Sequence, residues 1–363
     1  MHDSLFTPVT LGAIEARNRI ALAPMTRGRS DESGMPNALM ADYYAQRAGA
    51  GLIITEATSI STQGHGWPNA PGIWHDAHAE GWKPVTEEVH AAGGKIVLQL
   101  WHMGRIVSSA MLGGEPPLSA SATQAPGEAW TYSGKQRYDL ARPMTKHEIA
   151  KTIADYAAAG RRALNAGFDG VQLHGANGYL IDQFLRDGTN QRTDEYGDSV
   201  QNRCRLLREV LEALVAECGA GRVSVRYSPN DGIQGCVDSD PDALFAEAAR
   251  VAQALELGFV ELRDPGADGT FGKAEGVKRS PLVRSIYTGP LMLNADYDAA
   301  RAEADIVAGR CDAVSFGRPY ITNPDLAERI RSGAPLAPNA DQGNSWYTRG
   351  AEGYTDYPAM AHV

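Results

Sequence analysis

Cysteine is scarce in this 363-residue chain, and the four present, Cys204, Cys218, Cys236 and Cys311, form no C-x-x-C pair. Such spacing argues against an iron–sulfur cluster, a zinc ribbon or a disulfide framework, and it fits a reducing compartment. Long apolar runs are missing too: no stretch reaches the about 18 residues that suggest a membrane helix. No basic segment leading into an apolar run stands near the start, so a soluble, cytoplasmic protein without a membrane partner is expected. Positive charge is in deficit, with 34 Lys and Arg against 44 Asp and Glu and a net charge of -10. No nucleic-acid partner is therefore expected. Neither an internal repeat nor a low-complexity segment is visible. The chain also lacks a G-x-S-x-G turn, which removes support for a Ser/His/Asp hydrolase. No lysine ends a candidate strand, which disfavours Schiff-base chemistry.

What is present is a large apolar reserve, 43% hydrophobic residues against 21% charged. One domain spanning residues 1–363 accommodates it. Continuous β-type runs occur at Arg19–Met25, Leu52–Ala57, Lys95–His102, Gly170–His174, Val223–Ser228, Phe259–Arg263, Pro290–Asn294 and Ala313–Gly317. They do not alternate between apolar and polar, as expected for strands covered on both faces. Amphipathic stretches separate them: Ala38–Arg47, Trp82–Ala92, Lys146–Ala166, Gln201–Glu217, Asp242–Leu257, Tyr297–Ala308 and Asp325–Arg331. Thr145 with Glu148 three residues on has capping-box spacing. Pro241 and Pro324 suit first helical turns, and Gly93, Gly167, Gly258 and Gly309 suit helix ends. Strand and helix alternating in this way predict a (β/α)8 TIM barrel. A doubly wound open sheet is the alternative, but no G-x-G-x-x-G follows the first strand. Met103 to Pro143 is too long for an ordinary connection and reads as a capping insertion after strand 3. The aromatic tail Ser345 to Pro358 is expected to lie against the barrel.

The strand ends carry the candidate chemistry, because parallel α/β folds place their sites at the carboxyl ends of strands. Phe168 to Tyr196 is the richest stretch: His174, Asn177 and Tyr179 follow the run Val171 to Leu173. His174 and Asn177 can donate hydrogen bonds to one oxygen, and Tyr179 carries a weakly acidic proton. Around the same ring fall Pro24, Met25, Thr26, Glu56, Ala57, Gln99, Trp101, Arg226, Asn294, Gly317 and Arg318. Carboxylates and histidines are too few there for a hydrolytic metal centre. The pair His75 and His78 is expected to be solvated in a polar loop. Neutral hydrogen-bonding groups with two arginines suit a planar heterocycle that also carries an anionic group.

Several ordered segments carry a resemblance: APMTRGR from Ala23, EAT from Glu56, LQLWHMGR from Leu98, HGANGYLIDQFL from His174 and NQRTDEYGDSVQNR from Asn190. VRYSPN from Val225, SFGRPYITNPDL from Ser315 and AEGYTDYP from Ala351 continue it. Together these segments resemble the old yellow enzyme family, most nearly the bacterial ene-reductases of the N-ethylmaleimide reductase kind. The likeness runs from about residue 5 to residue 358.

The resemblance implies noncovalent FMN on the barrel's carboxyl face, reduced by NADPH or NADH. Pro24, Met25, Thr26, Ala57 and Gln99 would line the flavin, Thr26 bonding a ring carbonyl. Arg226 would lie where negative charge collects on the reduced ring. Phe316, Gly317 and Arg318 would bind the phosphate with Asn294, Ala295 and Asp296. At these last three the family often has a Gly-Gly-aromatic turn, so amides would serve while the Asp296 side chain points away. His174 and Asn177 would hold the carbonyl or nitro oxygen of an activated alkene, and Tyr179, near its ordinary pKa, would protonate the α-carbon. Trp67, Trp101, Gln234, Trp346 and Tyr347 would shape the pocket wall, Trp67 standing where some relatives carry tyrosine. The implied protein is a monomer or homodimer acting on small activated alkenes. A non-flavin barrel lyase and a flavin-binding sensor without turnover are the rival readings. The iron–sulfur dienoyl reductases share the barrel but need a cysteine cluster that this chain lacks.

Overall fold

The computed structural model describes residues 2–230, 232–266, 277–339 and 345–360. Eight parallel strands run through it: β1 (Ile20–Leu22), β2 (Leu52–Ile54), β3 (Ile96–Trp101) and β4 (Gly170–His174), then β5 (Val223–Tyr227), β6 (Phe259–Arg263), β7 (Leu291–Asn294) and β8 (Ala313–Phe316). Neighbours in sequence are neighbours in the sheet. The pairing of Val314 in β8 with Ile20 in β1 closes the barrel. Among the described residues, eight helices of seven or more residues cover it: α1 (Ala38–Ala45), α2 (Asp76–Ala91), α3 (Lys146–Asn165), α4 (Arg205–Cys218), α5 (Pro241–Ala254), α6 (Ser280–Ile286), α7 (Ala299–Val307) and α8 (Leu326–Ser332). The predicted (β/α)8 TIM barrel is the observed fold. No helix among the described residues is long and apolar enough to cross a membrane.

Local signals explain most boundaries. Thr145 Oγ1 accepts from the Glu148 amide at 3.2 Å, and the Thr145 amide donates to Glu148 Oε2 at 2.8 Å, closing the expected box on α3. Gly93, Gly167 and Gly309 take positive φ at helix ends, whereas Gly258 does not. Glu256 carries the left-handed turn instead, with φ 50°. Gly258 serves a close approach: a Cβ there would lie 2.5 Å from the Gly221 carbonyl oxygen. Pro324 falls just before the Asp325 cap of α8 rather than inside its first turn. The helix expected over Gln201–Glu217 breaks at Cys204 into a short turn and α4. Helix α2 starts six residues earlier than Trp82, taking in Gly81, whose missing side chain leaves room for Met35. His78 is buried rather than solvated; its Nδ1 accepts from the His75 amide at 3.1 Å, and its ring faces Trp74. Helix α6 was not predicted; it buries only Ser280 and Val283, too few to mark an apolar face.

The barrel interior is stacked in layers along its axis. At the amino end a hairpin, Val9–Leu11 paired with Ile14–Ala16, acts as a stopper. Its Leu11, Ile14 and Ala16 join Ala21, Leu52, Ile54, Val97, Phe259, Met292 and Ala313 in one apolar cluster. The turn needs Gly12, with φ 65°, because a Cβ would meet the Gly221 oxygen at 2.3 Å. Above the stopper lie Gln99, Gln172, Ser224, Glu261 and Ser315, all buried polar groups. The carboxyl ends of the strands form the third layer, which opens into a cavity. Burial between strands and helices supplies the larger apolar core, at about 25 cal/mol per Å² of apolar surface removed from water.

The insertion after β3 contains a second hairpin, Glu128–Thr131 with Gly134–Arg137. Ala125, Ala129 and Tyr138 pack with Trp101, Met103 and Val107, so this segment walls one side of the mouth. The tail returns as expected: Tyr354 is fully buried with its ring parallel to Tyr43 at 4.1 Å. Arg27 and Arg29 both donate to the Trp346 carbonyl, at 3.2 and 2.6 Å.

Candidate active site

The mouth encloses a cavity of about 640 Å³. It gathers all but one of the residues expected to hold cofactor or substrate: Pro24, Met25, Thr26, Ala57, Trp67, Gln99, Trp101, His174, Asn177, Tyr179, Arg226, Asn294, Ala295, Asp296, Phe316, Gly317, Arg318, Trp346 and Tyr347. The exception is Gln234, which does not line it. Gln234 adopts φ 60° behind Gly178, where a Cβ on the glycine would lie 2.8 Å from the Gln234 Cβ. Arg105 fixes that turn by donating to the Gln234 carbonyl at 2.8 Å.

Each wall has an identifiable support. After β1 the chain is held by Glu56, whose Oε2 accepts from the Arg27 and Gly28 amides at 3.0 and 2.9 Å. That clamp places Pro24 to Thr26 on the rim, and burial raises the Glu56 pKa above the usual carboxylate value despite those amides. His174 ends β4 with its Nδ1 accepting from the Ala176 amide at 3.3 Å. The ring proton of the neutral form therefore sits on Nε2. Burial, and secondarily the charge of Arg226, pull the His174 pKa down to about 3. His174 is accordingly a neutral donor across the ordinary pH range.

Asn177 is held in a left-handed turn, with φ 58°, by its amide donating to Ser228 Oγ at 2.8 Å. Next to it the Gly178 amide donates to Asp182 Oδ2 at 2.9 Å. Asp182 in turn pairs with Arg186 at 2.8 Å, and both are buried. The Asn177 Oδ1 is buried without a partner in the protein, and the residue lines the cavity beside His174 and Tyr179. Tyr179 presents its ring edge-on to Trp101 at 4.9 Å and to His174 at 5.0 Å. Sequence placed its phenol near the ordinary pKa, but burial, then Tyr138 and Tyr347, push it well above 10. It stays protonated more firmly than expected.

On the opposite side Arg226 is 4% exposed and pairs through one terminal nitrogen with Glu261. Its other terminal nitrogen donates to Asn294 Oδ1 at 2.9 Å, and its Nε–H is buried without a partner. The Asp296 carboxylate does not turn away, as the resemblance implied; it forms an ion pair with Arg318. Ala295 and Asp296 take φ of 108° and 51°, left-handed geometry that side chains resist. Above Gly317 a Cβ would come no nearer than 3.4 Å, to Met25 Sδ, so backbone there is open to a ligand. Trp67 and Tyr347 close the rim, their rings 5.5 Å apart.

Sequence reasoning missed Arg263, which ends β6 and lines the cavity. It also missed the polar layer beneath. A signal existed: Glu261 and Arg263, like Gln172 and His174, are polar at every second position of otherwise apolar strands. Period-two spacing puts such pairs on the same, inward face.

Fold and site together define a barrel enzyme whose chemistry lies at the carboxyl face. The sequence model of the NADH:flavin oxidoreductase / NADH oxidase family matches residues 4–337. The fold is similar to that of an old yellow enzyme homologue from Zymomonas mobilis, with TM-score 0.96 and 52% identity over 98% of this chain and 100% of that one. It is also similar to morphinone reductase in complex with tetrahydroNAD, with TM-score 0.91 and 39% identity over 98% of each chain. A probable flavin mononucleotide-dependent alkene reductase of Leishmania infantum is 40% identical over 99% of this chain and 98% of its own. The chain belongs to the NADH:flavin oxidoreductase family, in its old yellow enzyme branch, and is an NAD(P)H-dependent flavin ene-reductase.

The cavity fits FMN on its own chemistry. Arg226, whose Nε–H is buried without a partner in the protein, and Gln99 line a slot together with the small side chains of Ala23 and Ala57. Arg318 and the open backbone at Gly317 stand at its end, where an anion is favoured.

Proposed function

We propose that this chain, working as one barrel domain, reduces the activated C=C bond of small α,β-unsaturated carbonyls and nitroalkenes, and that nitro compounds are further acceptors. When bound, FMN supplies the store that takes hydride from NADPH or NADH and yields it to carbon. Pro24, Met25, Thr26, Ala57 and Gln99 would hold its ring, with Arg226 beside the pyrimidine end. Asn294 to Asp296 and Phe316 to Arg318 would hold its phosphate.

The substrate's carbonyl or nitro oxygen accepts from His174 Nε2–H and from the Asn177 amide. Two neutral donors polarise the alkene and make its β-carbon electrophilic, and they stabilise the oxyanion that develops. Tyr179 holds its proton on the phenol oxygen and transfers it to the α-carbon. Trp67, Trp101, Trp346 and Tyr347 exclude water and limit acceptor shape. The observation that carries this reading is the convergence of His174 and Tyr179, whose rings lie 5.0 Å apart, on one cavity that Asn177 also lines.

Anaerobic titration tests it. NADPH or NADH should bleach the yellow holoprotein, and cyclohexenone or a nitroalkene should restore the colour. Colour that neither nucleotide changes, or that no activated alkene restores, would refute the proposal.

A further inference from the structure

Beneath the cavity floor, the buried side chains of Glu261, Gln172 and Ser315 have no part in the roles assigned above. Glu261 lies in the barrel interior with no exposed surface. Its Oε1 pairs with Arg226 and accepts from Ser315 Oγ at 2.6 Å. Its Oε2 accepts from Gln172 Nε2 at 2.9 Å. Gln172 Oε1 accepts from Gln99 Nε2 at 2.7 Å. Gln99 is the member that lines the cavity.

Direction in this chain follows from chemistry. A carboxylate beside a guanidinium only accepts hydrogen bonds, so Gln172 must turn its NH₂ toward Glu261. The Gln172 carbonyl is then committed to Gln99, and Gln99 must spend an N–H on it. Gln99 is left with its carbonyl oxygen and one N–H for the cavity. With a neutral amide at position 261, either end could face Gln172 and the order could reverse along its length. A fixed order matters because a buried donor facing a donor is left without its hydrogen bond.

We infer that Glu261 is a positioning residue which, through Gln172, fixes the Gln99 amide so that its carbonyl oxygen meets an imide-type N–H of the bound ring. Through the ion pair it also holds the Arg226 guanidinium in the cavity wall. This rests on reading the cavity as the flavin site. Glu261 acts in two separable ways, by ordering amides and by balancing the Arg226 charge. The flavin imide N–H supplies the donor that Gln99 then requires.

The test measures FMN affinity by fluorescence quenching and the FMN midpoint potential by anaerobic titration, on wild type, Glu261→Gln and Gln172→Met. Both variants should bind FMN about ten-fold or more weakly, the loss of about one ordered buried hydrogen bond. Glu261→Gln alone should also raise the midpoint potential, because the Arg226 cation is no longer balanced beside the reduced ring. If Glu261→Gln does not fold, Gln172→Met still tests the amide order, since it keeps every charge. Wild-type affinity in Gln172→Met, or an unmoved potential in a folded Glu261→Gln, overturns the inference while leaving the flavin reading intact. Failure of the wild type to take up FMN overturns both readings at their common root.

Discussion

Replacing Tyr179 with phenylalanine removes one oxygen and keeps a ring that faces Trp101 at 4.9 Å and His174 at 5.0 Å. The fold and the cavity wall should therefore survive the change. What is lost is a positioned proton. General acids of this kind contribute about 10²–10⁴ in rate, or about 3–5 kcal/mol of barrier. Burial has pushed this phenol well above 10, so it is a weak acid that yields its proton only to a strongly basic carbon. An enolate carbon is such a base, whereas a nitronate is far less basic. Stopped-flow measurement should thus show bleaching by NADPH unchanged in Tyr179→Phe. Reoxidation by cyclohexenone should fall by about 10²-fold or more. Reoxidation by a nitroalkene should fall much less, with a nitronate released. Enone reoxidation within about three-fold of wild type would remove Tyr179 from the proton-transfer role.

The double change His174→Ala with Asn177→Ala should weaken binding of phenol-like ligands about 100-fold, one factor of ten for each donor, as read from the charge-transfer band; unchanged affinity would refute the oxygen-binding role. The His174 pKa near 3 lies below the ordinary value of 6.5, so the ring loses its charge as pH rises through about 3 and stays neutral above. Tyr179 deprotonates only well above 10. Alkene-dependent reoxidation should therefore be flat from about pH 5 to about pH 9, and an inflection that disappears in a His174 or Tyr179 variant would contradict it. Asp296→Asn removes the carboxylate that occupies Arg318 and should tighten FMN several-fold without tightening riboflavin, which has no phosphate. Looser FMN binding in that variant would mean that Asp296 instead organises the arginine.

Much of the architecture was readable from sequence because the strands are buried on both faces. Runs such as Gly170–His174 and Phe259–Arg263 show their limits directly as apolar stretches between helix ends and polar turns. Elements without that contrast escaped. Helix α6 buries only Ser280 and Val283, and the hairpin buries Ala129 and Thr131 in its first strand and no side chain in its second. At the site, His174, Asn177 and Tyr179 stood out as polar groups at a strand end. Glu261 and Gln172 were overlooked although they stand two residues before Arg263 and His174 on the same inward faces; their partners Arg226 and Gln99 are set by strand register, which sequence does not record. Gln234 was misplaced for the opposite reason: a loop position has no periodicity to say which way it faces. The Asp296 contact with Arg318 joins residues 22 positions apart, and only the closed barrel brings them together.

The stopper formed by Leu11, Ile14 and Ala16 has a kinetic consequence. Among the described residues the base is corked, so the cavity fills and empties at its carboxyl-end mouth. Nicotinamide donor and alkene acceptor would then queue for one doorway, each leaving before the other enters. Steady-state plots against both substrates should run parallel, and a large excess of either should slow the cycle by lodging in the form of the enzyme meant for the other.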